Sequence, residues 1–127
     1  MSATPAIHLD GVSLALAGRV ILDRLDLDVA AHGITALIGP NGAGKSVTLR
    51  VIDGLLRPDS GTVRLTPGRR AFVFQRPALV RASVSANVAL GLVSLKLSRR
   101  ERAERIAAAL ARVGLSERAN DAATRFS

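Results

Sequence analysis

The residues best suited to chemistry stand together at Gly39-Pro40-Asn41-Gly42-Ala43-Gly44-Lys45-Ser46, which fits G-x-x-x-x-G-K-[ST]. Gly39, Gly42 and Gly44 lack a Cβ, so the backbone can take positive φ and come close to a ligand. The amides of Gly39, Gly42 and Gly44, with the free N–H groups of the helix start up to Val47, can form a concave nest for anionic oxygens. Lys45 supplies a point charge suited to the β- and γ-phosphates of a nucleoside triphosphate. The Ser46 hydroxyl suits a ligand of Mg²⁺.

That chemistry needs a strand before the loop and a helix after it. Upstream, Ile34-Thr35-Ala36-Leu37-Ile38 is apolar and β-branched, which predicts a buried parallel strand. Downstream, Val47, Leu49, Val51, Ile52, Leu55 and Leu56 predict an apolar helical face ending near Pro58. Ahead of both, Ile7 to Leu16 reads as an edge strand broken at Gly11, and Ala17-Gly18-Arg19 as a turn. Arg19 to Leu22 and Leu25 to Val29 continue the alternation, so an antiparallel β layer precedes the parallel core. His8 reads as a strand-surface residue and His32 as a turn residue, neither with a charged or nucleophilic neighbour.

After the helix, Arg57-Pro58-Asp59-Ser60-Gly61 is a turn and Thr62 to Leu65 a short strand. Ala71-Phe72-Val73-Phe74 predicts another buried strand, ending at Gln75-Arg76-Pro77. A polar side chain at the C-terminal end of a core strand faces the ligand crevice in open α/β sheets, which makes Gln75 a site candidate. Ser83 caps a predicted helix through Val84 and Val88 that ends around Gly91. Ser98-Arg99-Arg100-Glu101 is a capping box opening a helix with Ile106, Leu110 and Val113 on one face and Gly114 as its stop. Asn120 to Ser127 reads as a polar tail.

At 127 residues and 48% hydrophobic, the chain suits one α/β domain or part of one. It has no cysteine, so disulfides and thiolate metal sites are excluded. No apolar run is long enough to span a bilayer and the first residues resemble no signal peptide, so a cytoplasmic protein is expected. The net charge is +8, and from Ser60 to Arg100 there are eight Lys or Arg and no Asp or Glu. Such a stretch suits a nucleic acid, an anionic membrane face, an acidic protein partner or an Arg-rich solvated surface. With no Tyr or Trp and three Phe, stacking platforms are scarce, and no nucleic-acid partner is expected.

Three segments in this order and spacing resemble the ATP-binding cassette (ABC) ATPases, the nucleotide-binding subunits of ABC transporters. They are Gly39 to Ser46, then Gly54-Leu55-Leu56-Arg57-Pro58-Asp59-Ser60-Gly61, then Phe74-Gln75-Arg76-Pro77. The resemblance implies a P-loop core with its β layer over 1–75 and the start of a helical subdomain over 76–127. It implies ATP and Mg²⁺ as ligands, with Gln75 touching Mg²⁺ and the attacking water. It also implies a transmembrane permease as partner, a second ATPase subunit as dimer mate, and a place on the inner face of the membrane. Where the family has an aromatic residue on adenine, this chain has Leu16, which can pack on a purine but cannot stack.

Phe126-Ser127 resembles the first two residues of the family's Leu-Ser-Gly-Gly-Gln signature, so the chain is expected to be the front portion of such an ATPase, truncated before the rest of that motif. The catalytic glutamate and switch histidine would lie beyond it. The stretches Gly44 to Arg50 and Gln75 to Val88 are similar to oxyanion importers, tungstate or phosphate types especially. A nucleotide-binding fragment without turnover is the alternative. A soluble P-loop kinase or GTPase fits less well, given the Phe74-Gln75 strand end.

Overall fold

Alternating residues from Ile7 to Val29 fold back on themselves as a hairpin of β1 (Ile7–Leu16) and β2 (Arg19–Val29). Ala17 and Gly18 link them at φ of 49° and 77°, the two positive values of a type I′ turn. The computed structural model describes residues 5–76 and 78–126, in two units that divide between Phe72 and Val73. In the first unit, β3 (Ser60–Leu65) pairs antiparallel with the free side of β1, giving the order β2-β1-β3. β1 is therefore the central strand and not an edge. Gly11 does not break it but forms a bulge.

Two bulges decide which residues face inward. Leu9 is buried, yet beyond Gly11, at φ 57°, the buried residues become Val12 and Leu14. In β2 the inward set passes from Leu22 to Leu25 and Leu27 across Arg24, at φ 47°. Both irregular stretches satisfy an amide with a side chain: Gly11 N–H donates to Asp26 at 2.7 Å, and Arg24 N–H donates to Ser13 Oγ at 2.9 Å. Across the outer face of the three strands, His8 lies opposite Asp28 and Arg64 in register, and its Nδ1 is 2.5 Å from Asp28 Oδ1. His8 thus does have a charged neighbour, supplied by strand pairing that local sequence does not display.

α1 (Lys45–Ile52) lies on the inner face of the sheet. Its seat is Val51, buried in one cluster with Leu9, Val12, Leu14 and Leu22. Thr48 is the other buried residue of the helix, whereas Leu49 and Leu55 are exposed, so the helical face is narrower than the apolar pattern predicts. The expected buried strands are absent as well. No strand forms over 34–38, where Ile34 is 99% and Ile38 91% exposed. None forms over 71–74, where Val73 is 88% exposed. A parallel strand is stable only between neighbours that complete its ladder, and among the described residues no strand pairs with either run.

The second unit is built on α2 (Val84–Leu90) and α3 (Arg99–Arg112), with 3₁₀ turns at Ser116–Arg118 and Ala123–Phe126. Ser83 caps α2 by accepting from Ala86 N–H at 3.1 Å. Ser98 caps α3 in a full capping box with Glu101. Val84, Leu110 and Ala123 form its core, joined by Val88, Ile106, Leu115 and Ala119. The segment from Asn120 is accordingly no loose tail: Ala123 is buried and Ala122 pairs with Ser83. Pro77 and Ser127 lie outside the described residues.

Gly61 sits opposite the β1 bulge at φ 86°, and a Cβ there would come within 2.4 Å of the Gly11 carbonyl oxygen. Gly61→Ala must therefore displace backbone in the central strand. We expect a stability loss of about 2 kcal/mol or more, read by denaturant unfolding. A second expectation concerns α3. Hydrogen bonds from the Ser98 side chain, and then from its backbone amide, hold the Glu101 carboxyl below its ordinary value. A depressed carboxylate stabilises the fold above the unfolded pKa of about 4.3, and that stability is lost as pH falls through the lower folded value. Protection of the first-turn amides of α3, the exchange rate taken relative to the intrinsic rate at each pH, should therefore fall below about pH 4. Ser98→Ala keeps the backbone amide, so it should reduce this pH dependence without abolishing it, and the lost cap should cost about 1 kcal/mol.

Candidate functional site

The loop from Gly39 to Ser46 is the one place where the sequence chemistry and the fold meet. Its far end is fixed and its near end is open. Gly44 is the N-terminal boundary of α1, in the left-handed conformation at φ 88°, and no side chain caps the helix. It is buried, with the backbone of β2 directly beneath. A Cβ on Gly44 would lie 3.0 Å from Leu22 Cδ2 and 3.1 Å from the Ile21 carbonyl oxygen. Only glycine meets both demands, the positive φ and the close approach. Gly42 also has a positive φ, of 84°, but nothing stands within 4 Å of where its Cβ would be.

Thr48 secures the turn from inside. Its hydroxyl donates to the Gly44 carbonyl oxygen at 3.0 Å, and its amide donates to the same oxygen at 2.8 Å. Sequence reading missed this residue, although a Thr four positions after the last loop glycine is the signal for such a back-bond. Ile21 and Leu22 were also missed as the floor of the loop. Their role comes from packing between distant segments, which no local pattern carries.

The polar groups that could meet an anion are gathered on the exposed side. Asn41, Gly42 and Ala43 are exposed, as are Gly39 and Pro40. Ala43 N–H donates to the Pro40 carbonyl oxygen at 3.2 Å and closes the turn. Among the described residues, the amides of Gly42, Gly44, Lys45, Ser46 and Val47 have no hydrogen-bond partner within the chain. A row of unpartnered donors at a helix start is what a phosphate group satisfies. Lys45 folds over the loop, its Nζ donating to the carbonyl oxygens of Gly39 and Pro40 at 2.6 and 2.7 Å. Ser46 is exposed beside it. The loop therefore fits a polyphosphate, with one cation already at its mouth.

The other two candidates stand apart from the loop in the chain. Leu16 is at the end of β1 in the same unit, 38% exposed. The strand end is held by Asp59, whose carboxylate accepts from Ala15 N–H at 2.7 Å and whose amide donates to the Ser13 carbonyl oxygen at 2.9 Å. Gln75 is an exposed residue of the second unit. Among the described residues no group of three His, Asp or Glu side chains is placed to hold a metal ion. No helix is long and apolar enough to cross a membrane.

The chain is 40% identical over 124 residues to the aliphatic sulfonates import ATP-binding protein SsuB 1 of Nocardia farcinica, covering 94% of this chain and 48% of that one. A 57-residue stretch is 56% identical to the zinc import ATP-binding protein ZnuC of Paramagnetospirillum magneticum, covering 45% of this chain and 22% of the relative. A solved structure described as the ATP binding subunit of an ABC transporter superposes with a TM-score of 0.79 at 25% identity, over 96% of this chain and 56% of the other. The chain thus spans about half the length of the relatives that it matches along most of its own length. None of these names supports tungstate or phosphate as cargo. The ABC transporter family model matches residues 22–127, the loop, its helix and the second unit included, and the chain belongs to that family.

Proposed function

We propose that the chain is the ATP-binding, energy-coupling part of an importer subunit, holding MgATP in the loop from Gly39 to Val47. The observation that carries this is the set of unpartnered amides of Gly42 and of Gly44 to Val47, with Lys45 Nζ beside them. Lys45 exchanges its two carbonyl contacts for the β- and γ-phosphates, as a mobile ammonium on a flexible stem can. Gly44 and Thr48 keep the amides in place while it does so. Ser46 is the residue of the loop that would hold Mg²⁺, and Leu16 is the apolar surface for the base. When bound, Mg²⁺ neutralises charge on the phosphate oxygens.

The partners proposed are a transmembrane permease and a second ATPase subunit, with the protein on the cytoplasmic face of the membrane. For the cargo, the relatives matched over most of this chain are named for aliphatic sulfonates, which favours a sulfonate over the tungstate or phosphate expected from local motifs. Lys45→Ala removes a charge-assisted contact and should weaken a fluorescent ATP analogue about 10- to 100-fold with helix content unchanged. Unaltered affinity would refute the assignment.

The second reading, nucleotide binding without turnover, is favoured by where the acidic residues fall. Glu101 and Glu104 lie in α3, Glu117 in a 3₁₀ turn, and Asp121 is engaged by Arg118. None ends a strand of a core sheet. A general base contributes about 10²- to 10⁴-fold, so residues 1–127 by themselves should release phosphate no faster than the Lys45→Ala control. Faster release would reveal a base among these residues.

A further inference from the structure

In the first unit, β1 runs on past its partner β3. The first residue of β3, Ser60, pairs with Ser13, and beyond that point the β3 side of β1 has no strand to bond. Asp59 takes over there. Its amide donates to the Ser13 carbonyl oxygen at 2.9 Å, and its carboxylate Oδ2 accepts from Ala15 N–H at 2.7 Å, in place of the carbonyl that a longer β3 would offer. Among the described residues no Lys or Arg pairs with that carboxylate. Its charge is therefore turned on one amide, and such charge-assisted bonds are the strong ones. On the other side Ala15 pairs with Val20 and Leu16 with Arg19, so the hairpin end is held from both sides. That end is also near the phosphate loop. Gly44 packs on the Ile21 carbonyl oxygen, and Arg19, the partner of Leu16, is two residues earlier on the same strand, about 7 Å away.

We propose that Asp59 is a positioning residue for the base half of the nucleotide: by holding Ala15 it fixes Leu16 beside the loop, and so favours a ligand that carries a base over a bare polyphosphate. The proposal rests on the function proposed above, in which the loop takes the phosphates and Leu16 the base. Asp59 itself touches no ligand in that scheme. Leucine has no ring with which to orient a base. What it contributes is apolar area at a fixed place, and a strand end without its tether would not keep that place. Loss of Asp59 therefore weakens the base contact and leaves the phosphate contacts of Gly42 to Val47 alone.

The test uses the full-length protein that carries this chain, titrated calorimetrically with a non-hydrolysable ATP analogue and, separately, with inorganic tripolyphosphate, both with Mg²⁺. For Asp59→Ala we expect affinity for the analogue to fall about 3- to 10-fold, with that for tripolyphosphate unchanged. Asp59→Asn keeps an acceptor oxygen and should recover much of the loss. Leu16→Ala should lose analogue affinity by itself, and adding Asp59→Ala to it should lower that affinity no further. Equal losses for the two ligands, wild-type affinity for both, or additive losses would overturn the proposal. If Asp59→Ala does not fold, Asp59→Glu, which keeps the charge but displaces the oxygen, takes its place with the same expected split. A wild-type protein that binds neither ligand would refute the phosphate-loop reading, and this proposal with it.

Discussion

The contact on which the rest of the site depends is that of the Gly44 backbone with β2. The chain passes so close to Ile21 and Leu22 that a Cβ would sit 3.0–3.1 Å from them, which with the positive φ favours glycine, and from there α1 rises over the sheet. Two helical turns on, Val51 enters the cluster of Leu9, Val12, Leu14 and Leu22. Burying a valine there is worth about 1.5–3 kcal/mol. The helix is thus pinned at its start by a close approach and at its end by apolar burial, with Thr48 between. This arrangement lets the loop ahead of it be wholly exposed and still have fixed donors.

The bulges in β1 and β2 serve the same end. Without the extra residue at Gly11, Val12 and Leu14 would turn to solvent, and Val51 would face serine and alanine. The sheet that seats α1 is consequently not a regular ladder that later gained a defect. Its inward face exists because the irregularities are there, and Asp26 and Ser13 stabilise them by accepting the amides they free.

Much of this was legible in the residues themselves. The loop, the two capped helices and the hairpin each rest on local signals: glycine spacing, Ser-x-x-Glu, and Ala-Gly between alternating runs. What was hidden depends on partners distant in sequence. β1 reads as an edge because nothing in Ile7 to Leu16 announces that Ser60 to Leu65 will pair with it. His8 reads as solitary because Asp28 is twenty residues away. Asn120 onward reads as a tail because its polar composition conceals Ala123, a small residue whose burial is decided by Val84 and Leu110. The strands expected at 34–38 and 71–74 failed for the converse reason. Their residues are right for a core, but propensity does not supply a ladder. The basic stretch from Ser60 to Arg100 is also less uniform than its sequence. Arg64 lies 4.0 Å from Asp10 and Arg100 2.8 Å from Glu104, so part of that charge is answered by surface pairs of small energetic weight.

The uncovered run at 34–38 bears on how such a chain is made. Synthesis delivers residues at about 5–20 per second, amino end first. β1, β2, β3 and α1 can assemble from the first 65 residues, while Ile34 to Ile38 pairs with no strand among the described residues. During that interval a charge-free, β-branched pentamer stands at the surface of a structure that is otherwise already folded, a ready template for pairing with another copy. The residues on either side limit the hazard. Gly33 and the Gly39-Pro40 pair interrupt the run at both ends, and Pro40 cannot donate to an intruding strand. The punctuation that shapes the phosphate loop thus also acts as a gatekeeper for the nascent chain.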